Sequence, residues 1–245
     1  MVDKSTICLF DVDGTLTKPR KVIDKDLLEF LLQNLKKRCD IGIVGGSDLS
    51  KISEQLGGKE VLKEFNYVFA ENGLVALKDG EIFATQSIQN YIGEKDIQKF
   101  INYCLRYMSE IELPLKRGTF IEFRSGLINV CPIGRSCSQA EREDFEIYDK
   151  KHKIRETFVK DLKEKFSEIP LEFTIGGQIS FDVYPKGWDK RFCLQFLKDY
   201  KHIHFFGDKT SEGGNDYEIF RCDQTYGHSV TGPEDTFSQL NALFP

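Results

Sequence analysis

The segment Ile7 to Thr17 reads ICLFDVDGTLT and carries the pattern that decides the fold of this chain. Four apolar residues lead directly into Asp11 and Asp13, and Gly14 follows. A short continuous apolar run predicts a buried strand, and in open α/β sheets ligands bind beyond the carboxyl ends of the strands. The two carboxylates are therefore predicted to lie at a binding site, although an Asp-Gly pair also marks ordinary turns.

The sequence on both sides of this segment alternates apolar runs with helical periodicity. Runs that are apolar on both faces indicate a parallel sheet covered by helices. We therefore predict an α/β protein with a doubly wound, Rossmann-like parallel sheet as its core. Its strands are expected at ICLF, IGIV, YVFA, IHFF and YGHSV, and its helices at KDLLEFLLQNLKKR, WDKRFCLQFLKDY and PEDTFSQLNALF.

The middle of the chain has a different period. TFIEFRSGLINVCPI and LEFTIGGQISFDVYP alternate apolar and polar residues around glycine turns, which predicts two antiparallel hairpins. Helical stretches around 93–110 and 140–168 would cover one face of these hairpins. We predict a core at 1–83 and 186–245 with an inserted α+β cap domain at 84–185. The polar face of its antiparallel sheet carries Arg124, Ser180 and Asp182, which could be solvated or could line a site.

Composition restricts the function classes. The chain of 245 residues has a formal net charge of −5 and no long basic run, which argues against nucleic-acid and anionic-membrane partners. Its seven cysteines contain no CxxC pair, which suits reduced thiols. The start MVDKST has no signal-peptide pattern, and no apolar run approaches the ~18 residues of a membrane span. We expect a cytoplasmic protein that binds small anionic ligands.

The residue types at the predicted strand ends point to phosphoryl chemistry. Asp11 and Asp13 would repel each other unless a cation such as Mg²⁺ joined them. One carboxylate could then attack phosphorus while the other moved a proton. Ser47 in GGSD and Lys190 in KGWDK could bind phosphate, although each pattern also occurs in ordinary structure. Asp208, followed by Asn215 and Asp216, ends another strand and could hold the metal ion.

Taken in order, DVDGT, GGSD, KGWDK and GDKTSEGGND resemble the haloacid dehalogenase superfamily of phosphotransferases. The resemblance implies that Asp11 is the nucleophile that forms an aspartyl phosphate, with Asp13 as general acid and base. It also implies that Ser47 and Lys190 bind the phosphate and that Asp11, Asp13 and Asp208 hold Mg²⁺.

The segments RSGLINVCPIGRSCSQAEREDFEIYDKKHKIR and GGQISFDVYPKGWDKR are similar to the eukaryotic phosphomannomutase family, and the match extends over nearly the whole chain. The resemblance implies interconversion of mannose 6-phosphate and mannose 1-phosphate, which supplies GDP-mannose, with glucose phosphates also accepted and a hexose 1,6-bisphosphate as activator. It further implies a homodimer joined through the cap domains. The implied hexose phosphate ligands are Arg20, Arg124, Arg135, Arg142, Ser180 and Asp182. A mutase needs a second, metal-free phosphate site, for which bidentate guanidinium groups are suited.

The same resemblance implies a second magnesium ion at the segment EIFRCDQTYG, held by Phe220, Cys222 and Thr225. The chain departs from the family pattern there, because Cys222 stands where the family has an acidic residue and Asp223 follows it. Backbone carbonyls could still coordinate an ion at these positions.

Two other functions remain open at this stage. A sugar-phosphate phosphatase would use the same core, since only the exclusion of water separates transfer to sugar from transfer to water. A non-catalytic sugar-phosphate sensor would keep the fold without turnover, but the presence of both Asp11 and Asp13 argues against it.

Overall fold

A computed structural model describes residues 3–19 and 21–244 of the chain. Its strands form two separate sheets. The strands are β1 (Asp3–Phe10), β2 (Cys39–Val44), β3 (Tyr67–Ala70), β4 (Val75–Lys78), β5 (Glu81–Thr85), β6 (Ile121–Phe123), β7 (Ile128–Val130), β8 (Leu171–Gly176), β9 (Ser180–Pro185), β10 (His202–Gly207) and β11 (Tyr226–Ser229).

The helices alternate with these strands in the first and last parts of the chain and cluster in the middle. They are α1 (Lys25–Gln33), α2 (Leu49–Leu56), α3 (Lys59–Leu62), α4 (Ile88–Ile92), α5 (Glu94–Glu110), α6 (Gln139–His152), α7 (Ile154–Lys165), α8 (Tyr217–Phe220) and α9 (Pro233–Leu243).

The chain divides into two compact units, one of Met1–Thr85 with Gly187–Pro245 and the other of Gln86–Lys186. We call the first the core unit and the second the cap unit. The limits predicted from sequence were residues 83 and 185. The boundaries fall at the end of β5 and just after β9.

The core unit is built on a seven-stranded sheet with the order β11-β10-β1-β2-β3-β4-β5. The strands β11, β10, β1, β2 and β3 run parallel to one another, which confirms the predicted doubly wound sheet. The final residues of β1, Ile7 to Phe10, have no exposed surface, because both faces of this central strand are covered. Asp11 therefore lies at the carboxyl end of a buried central strand, where ligands bind in open α/β sheets.

Two features of the core unit differ from the sequence prediction. Strands β4 and β5 form an antiparallel hairpin that extends the sheet, and this hairpin was not predicted. Its signal was the turn pair Asp79-Gly80 between the two strands. The helix predicted at WDKRFCLQFLKDY is instead a 3₁₀ segment, Lys190–Phe196; Asp189 caps its first turn, and the chain leaves the helix at Leu197.

The cap unit contains the two predicted hairpins, joined into one antiparallel sheet with the order β6-β7-β9-β8. Alternation along β9 buries Phe181 and Val183 and leaves Ser180 and Asp182 partly exposed on the other face, as the period predicts. The helices α5, α6 and α7 cover much of the range predicted to be helical.

No helix among residues 3–19 and 21–244 is long and apolar enough to cross a membrane. All seven cysteines lie in the described part of the chain and are free thiols. Six of them are buried, and Cys222 is half-buried.

Candidate active site

Asp11 occupies the position that the sequence predicts, directly after β1. Its amide donates a hydrogen bond to the Phe206 carbonyl on the neighbouring strand at 2.9 Å, so the backbone remains tied to the sheet at this residue. The residue is only 5% exposed. Burial raises the pKa of Asp11 to about 6, since the charged form loses water; Lys190 opposes this rise and Asp216 adds to it.

Lys190 links two carboxylates in the interior of the core unit. Its ammonium group donates to Asp11 Oδ1 and, at 2.5 Å, to Asp216 Oδ1. The side chain is 1% exposed. Burial alone would lower the pKa of Lys190, but Asp11 and Asp216 raise it above its usual value, so the lysine stays charged.

Three carboxylates converge at this lysine. One oxygen from each of Asp11, Asp208 and Asp216 lies within 4.8 Å of the others, and this is the only such group found among the described residues. Asp208 Oδ1 is buried without a hydrogen-bond partner. Burial raises the pKa of Asp208, whereas the neighbouring Lys209 lowers it. Three carboxylates and one ammonium leave an excess of negative charge, which suits a hard divalent cation.

The carboxylate of Asp13 does not belong to this group and is held separately. Gln55 Nε2 donates to Asp13 Oδ1 at 2.8 Å, and Lys51 Nζ lies 3.9 Å from Oδ2. Gln55 is buried on α2, so it fixes the orientation of a carboxylate that remains 30% exposed. Among side-chain carboxylates, Asp216 rather than Asp13 therefore joins Asp11 and Asp208 in this group.

Asp11 and Asp13 open onto one cavity of about 230 Å³ within the core unit. Ser47 also lines it, as the sequence predicts for a phosphate ligand. Ser47 lies between β2 and α2, and Asp48 caps the helix that follows. The Ser47 carbonyl accepts a hydrogen bond from the Glu71 amide at 2.9 Å. Lys209 and Asn215 complete the polar lining.

The segment predicted to hold a second metal ion contains hydrogen bonds of its own. Thr225 Oγ1 donates to the carbonyls of Ile219, at 2.5 Å, and Cys222, at 3.1 Å. Phe220 lies at the end of α8, and its carbonyl oxygen would clash with a β-carbon added at Gly227. Within the described residues, this segment contributes no group of three or more metal-ligating side chains.

The cap unit gathers two of the predicted arginines around one acidic residue. Arg124 Nη2 lies 2.9 Å and Arg135 Nε lies 2.8 Å from the same oxygen of Glu122. These arginines lower the pKa of Glu122, chiefly through the hydrogen bond from Arg124. Arg142 joins the cluster from α6, where its Nη2 donates to the Arg135 carbonyl at 2.9 Å.

Ser180 and Asp182 join the same cluster through Asn129, a buried residue of β7 that sequence analysis did not select. The Asn129 amide nitrogen donates to both side chains, and its oxygen accepts from Arg135 Nη1. The structure thus brings Arg124, Arg135, Arg142, Ser180 and Asp182 together. The remaining predicted ligand, Arg20, lies outside the described residues.

The residues that sequence analysis did not select form hydrogen bonds or ion pairs with residues that it did select. Asp216 was noted as acidic but not assigned to the metal, although it follows the same strand as Asp208. Gln55 gave no usable signal, because its bond to Asp13 joins residues 42 positions apart. Glu122 lies two residues before Arg124, on the polar face that the period of 2 predicts, but it was not selected as a site residue. The register of the β6–β7 hairpin pairs Asn129 with Glu122, whereas its pairing with Asp182 joins the two hairpins and is known only from the tertiary structure.

Comparison with solved structures identifies the class of fold. The chain resembles trehalose-6-phosphate phosphatase of Aspergillus fumigatus, with a TM-score of 0.62 and 18% identity over 98% of this chain and 92% of that chain. It also resembles IMP-nucleotidase of Plasmodium falciparum, with a TM-score of 0.59 and 19% identity over 98% of this chain and 68% of the other. The chain therefore has the same fold as these two proteins.

Sequence comparison identifies the family within this class. The family model described as "Eukaryotic phosphomannomutase" matches residues 27–245. A phosphomannomutase of Triticum aestivum is 57% identical over 242 residues, covering 99% of this chain and 96% of the relative. One of Spinacia oleracea is 58% identical over 238 residues, covering 97% and 95%. The chain belongs to the eukaryotic phosphomannomutase family.

Proposed function

We propose that this protein is a phosphomannomutase that interconverts mannose 6-phosphate and mannose 1-phosphate, for the supply of GDP-mannose, and also acts on glucose phosphates. The observation that carries the proposal is the pairing of Asp11 with Lys190 inside the three-carboxylate group, beside a cavity that Asp13 and Ser47 also line. Membership of the family supports hexose phosphates as the substrate class.

Each proposed catalytic residue of the core unit has a reaction step that suits its position. An oxygen of Asp11 forms a bond to phosphorus while the bond from phosphorus to the sugar oxygen breaks. Asp13 gives a proton to that sugar oxygen and takes one back from the hydroxyl group in the return transfer. Ser47 and Lys190 bind the oxygens of the transferring phosphoryl group. Gln55 supports the role of Asp13 by fixing one of its carboxylate oxygens.

The residues present fit a magnesium ion, because three carboxylate oxygens lie within 4.8 Å of one another and Asp208 Oδ1 has no other partner. Asp11, Asp208 and Asp216 would hold it through their carboxylates, and Asp13 is a further proposed ligand. When bound, the ion supplies a Lewis acid that neutralises charge on the phosphoryl oxygens.

The cap unit supports the choice of a mutase over a phosphatase. A mutase must bind a hexose bisphosphate, which we propose as both activator and intermediate, by the phosphate that is not reacting. We assign that role to Arg124, Arg135 and Arg142, whose guanidinium groups match a phosphate dianion. Ser180 and Asp182 would bind sugar hydroxyls. Arg20 is a further proposed ligand from the core unit.

We further propose a second magnesium ion at Phe220, Cys222 and Thr225, a cytoplasmic location, and a homodimer joined through cap units. The free cysteines suit a reducing compartment.

Exposed apolar side chains of the cap unit, such as Leu105 and Ile147, support a dimer interface on that unit. Light scattering tests the dimer, because it should give twice the chain mass of 28.2 kDa.

The decisive experiment compares two products. The protein is incubated with mannose 1-phosphate, Mg²⁺ and a hexose 1,6-bisphosphate, and both mannose 6-phosphate and inorganic phosphate are measured. Isomerisation should greatly exceed phosphate release. Release that outpaces isomerisation would instead identify a sugar-phosphate phosphatase. Asp11→Asn should form no phosphoenzyme from labelled bisphosphate in rapid quench, and a labelled variant would overturn the assignment of the nucleophile.

A further inference from the structure

Asn129 lies at the centre of the cap cluster formed by Arg124, Arg135, Arg142, Ser180 and Asp182. It is the middle residue of β7 and is 3% exposed. The sheet register pairs it with Glu122 on one side and with Asp182 on the other. A buried amide must satisfy its hydrogen-bond donors and acceptor within the protein, so its partners identify the side chains that it orients.

The polar atoms of Asn129 contact three of the proposed substrate ligands. Its Nδ2 donates to Asp182 Oδ1 at 2.7 Å and to Ser180 Oγ at 3.1 Å, while its Oδ1 accepts from Arg135 Nη1 at 2.9 Å. The orientation of the amide follows from chemistry. A guanidinium group only donates and an ionised carboxylate only accepts, so the oxygen must face Arg135 and the nitrogen must face Asp182.

This orientation determines how Ser180 can bond. Because the amide nitrogen is a donor, Ser180 Oγ must act as its acceptor, and the hydroxyl hydrogen is left to point elsewhere. Ser180 can then donate to an oxygen of a ligand. Asp182, whose Oδ1 also accepts from Asn129, remains a pure acceptor that suits a sugar hydroxyl.

We propose that Asn129 is a positioning residue that sets the hydrogen-bonding polarity of the hexose phosphate site: it makes Ser180 a donor and Asp182 an acceptor, and it holds Arg135 beside them. The proposal rests on the proposed function, because it takes Ser180 and Asp182 to be substrate ligands. The Asn129 amide, through the direction of its hydrogen bonds, determines whether Ser180 and Asp182 donate or accept hydrogen bonds at the sugar phosphate.

The test uses a substitution that keeps shape and removes the donor. In Asn129→Asp, a carboxylate can still accept from Arg135, but the Ser180 hydroxyl turns inward to donate to it, and Asp182 faces a like charge. We expect the KM for mannose 1-phosphate to rise about 10-fold or more, as for loss of a charge-assisted bond. Phosphorylation of Asp11 by acetyl phosphate, a donor without a sugar, should keep its rate within about 2-fold, an allowance set by the usual scatter of non-additive effects.

A double-mutant cycle with Ser180→Ala separates polarity from simple packing. Ser180→Ala should raise KM in the parent protein but have no further effect in Asn129→Asp, since the hydroxyl no longer faces the ligand. In Asn129→Ala, by contrast, nothing accepts the Ser180 hydroxyl hydrogen, so Ser180→Ala should raise KM there as it does in the parent. Asn102→Asp, an exposed change on α5, is the matched control and should leave KM unchanged.

The outcomes distinguish the proposal from the function on which it rests. Additive effects of Asn129→Asp and Ser180→Ala on KM would overturn the role of Asn129 while leaving the mutase intact. An unchanged KM in Ser180→Ala alone would remove Ser180 as a ligand and the proposal with it. If the parent protein does not isomerise mannose 1-phosphate, the proposed function fails first. Thermal unfolding of each variant identifies any that do not fold. If Asn129→Asp is one of them, Asn129→Ala carries the test through its own KM for mannose 1-phosphate, which should rise because Asp182 and Arg135 lose their shared partner. An unchanged KM in Asn129→Ala would then overturn the proposal.

Discussion

Gly14 lies against the carboxylate of Asp208, so closely that a β-carbon at residue 14 would come within 2.6 Å of the Asp208 carboxyl carbon. Gly14 also has a φ of +83°, which side chains rarely adopt. The glycine of DVDGT is therefore required both by its turn and by the proposed metal site on the neighbouring strand.

Gly14→Ala should weaken Mg²⁺ binding, because the new methyl group displaces the Asp208 carboxylate. By analogy with changes around metal ligands, we expect a loss of about 10- to 100-fold in affinity, measured by isothermal titration calorimetry. Gly213→Ala is the matched control, since Gly213 has a φ of +85° but no atom within 4 Å of an added β-carbon. Equal losses in both variants would assign the effect to backbone strain alone.

Lys190→Met should destabilise the metal-free protein, because it leaves Asp11 and Asp216 buried without their shared cation. Loss of one partner of a buried ion pair costs about 3–5 kcal/mol. Added Mg²⁺ should raise the unfolding temperature of this variant more than that of the parent, since the ion replaces part of the lost positive charge. Lys198→Met, at an exposed position of the core unit, is the control. An identical response of Lys190→Met and the parent to Mg²⁺ would contradict the proposed metal site.

Arg135→Ala tests the assignment of the phosphate that is not reacting. Loss of a charge-assisted bond of about 1.5–3 kcal/mol should weaken binding of hexose monophosphate and bisphosphate by about 10- to 150-fold. Acetyl phosphate has no second phosphate and should still phosphorylate Asp11 at a similar rate. Arg117→Ala, which removes another paired arginine of the cap unit, should change neither reaction. Equal loss with both donors would place Arg135 in the reacting centre or in cap folding.

His204 should make stability depend on pH. Its Nδ1 lies 3.0 Å from His228 Nε2, and burial lowers the pKa of His204 to about 4, with His228 adding to the effect. Because the pKa of His204 is lower in the folded state, the unfolded state binds more protons between pH 4 and 6.5. The contribution of neutral His204 to the free energy of unfolding is therefore fully present above the unfolded pKa near 6.5 and is lost as pH falls toward 4. Because the ring is only half-buried, we expect the loss to be about 1–2 kcal/mol.

His204→Phe should therefore flatten the dependence of the free energy of unfolding on pH between about 6.5 and 4. Urea titrations at several pH values measure this slope. His202→Phe changes an exposed histidine of the same strand and should keep the slope of the parent. A parent-like slope in His204→Phe would show that other groups carry the pH dependence.

The candidate site was only partly accessible from sequence. Asp11, Asp13 and Ser47 were found because each follows an apolar strand, and residues at the carboxyl ends of parallel strands meet at one edge. Asp216 was not assigned, because it lies eight residues after Asp208 in a glycine-rich loop whose path the sequence does not define. The β4–β5 hairpin was missed because its second strand, β5, is largely exposed and lacks a strong apolar pattern.

The sequence by itself determined the alternation of strands and helices, the end of β1 at Asp11, and the two cap hairpins with Ser180 and Asp182 on one face. These features depend on the local periods of 3.6 and 2 residues, which are written in consecutive side chains. Only the tertiary structure decided that Lys190 bonds to both Asp11 and Asp216, and that Asn129 joins Arg135 to Ser180 and Asp182. The bonds from Lys190 to Asp11 and from Asn129 to Asp182 join residues 179 and 53 positions apart, and such contacts form only when sheet register and burial bring distant segments together.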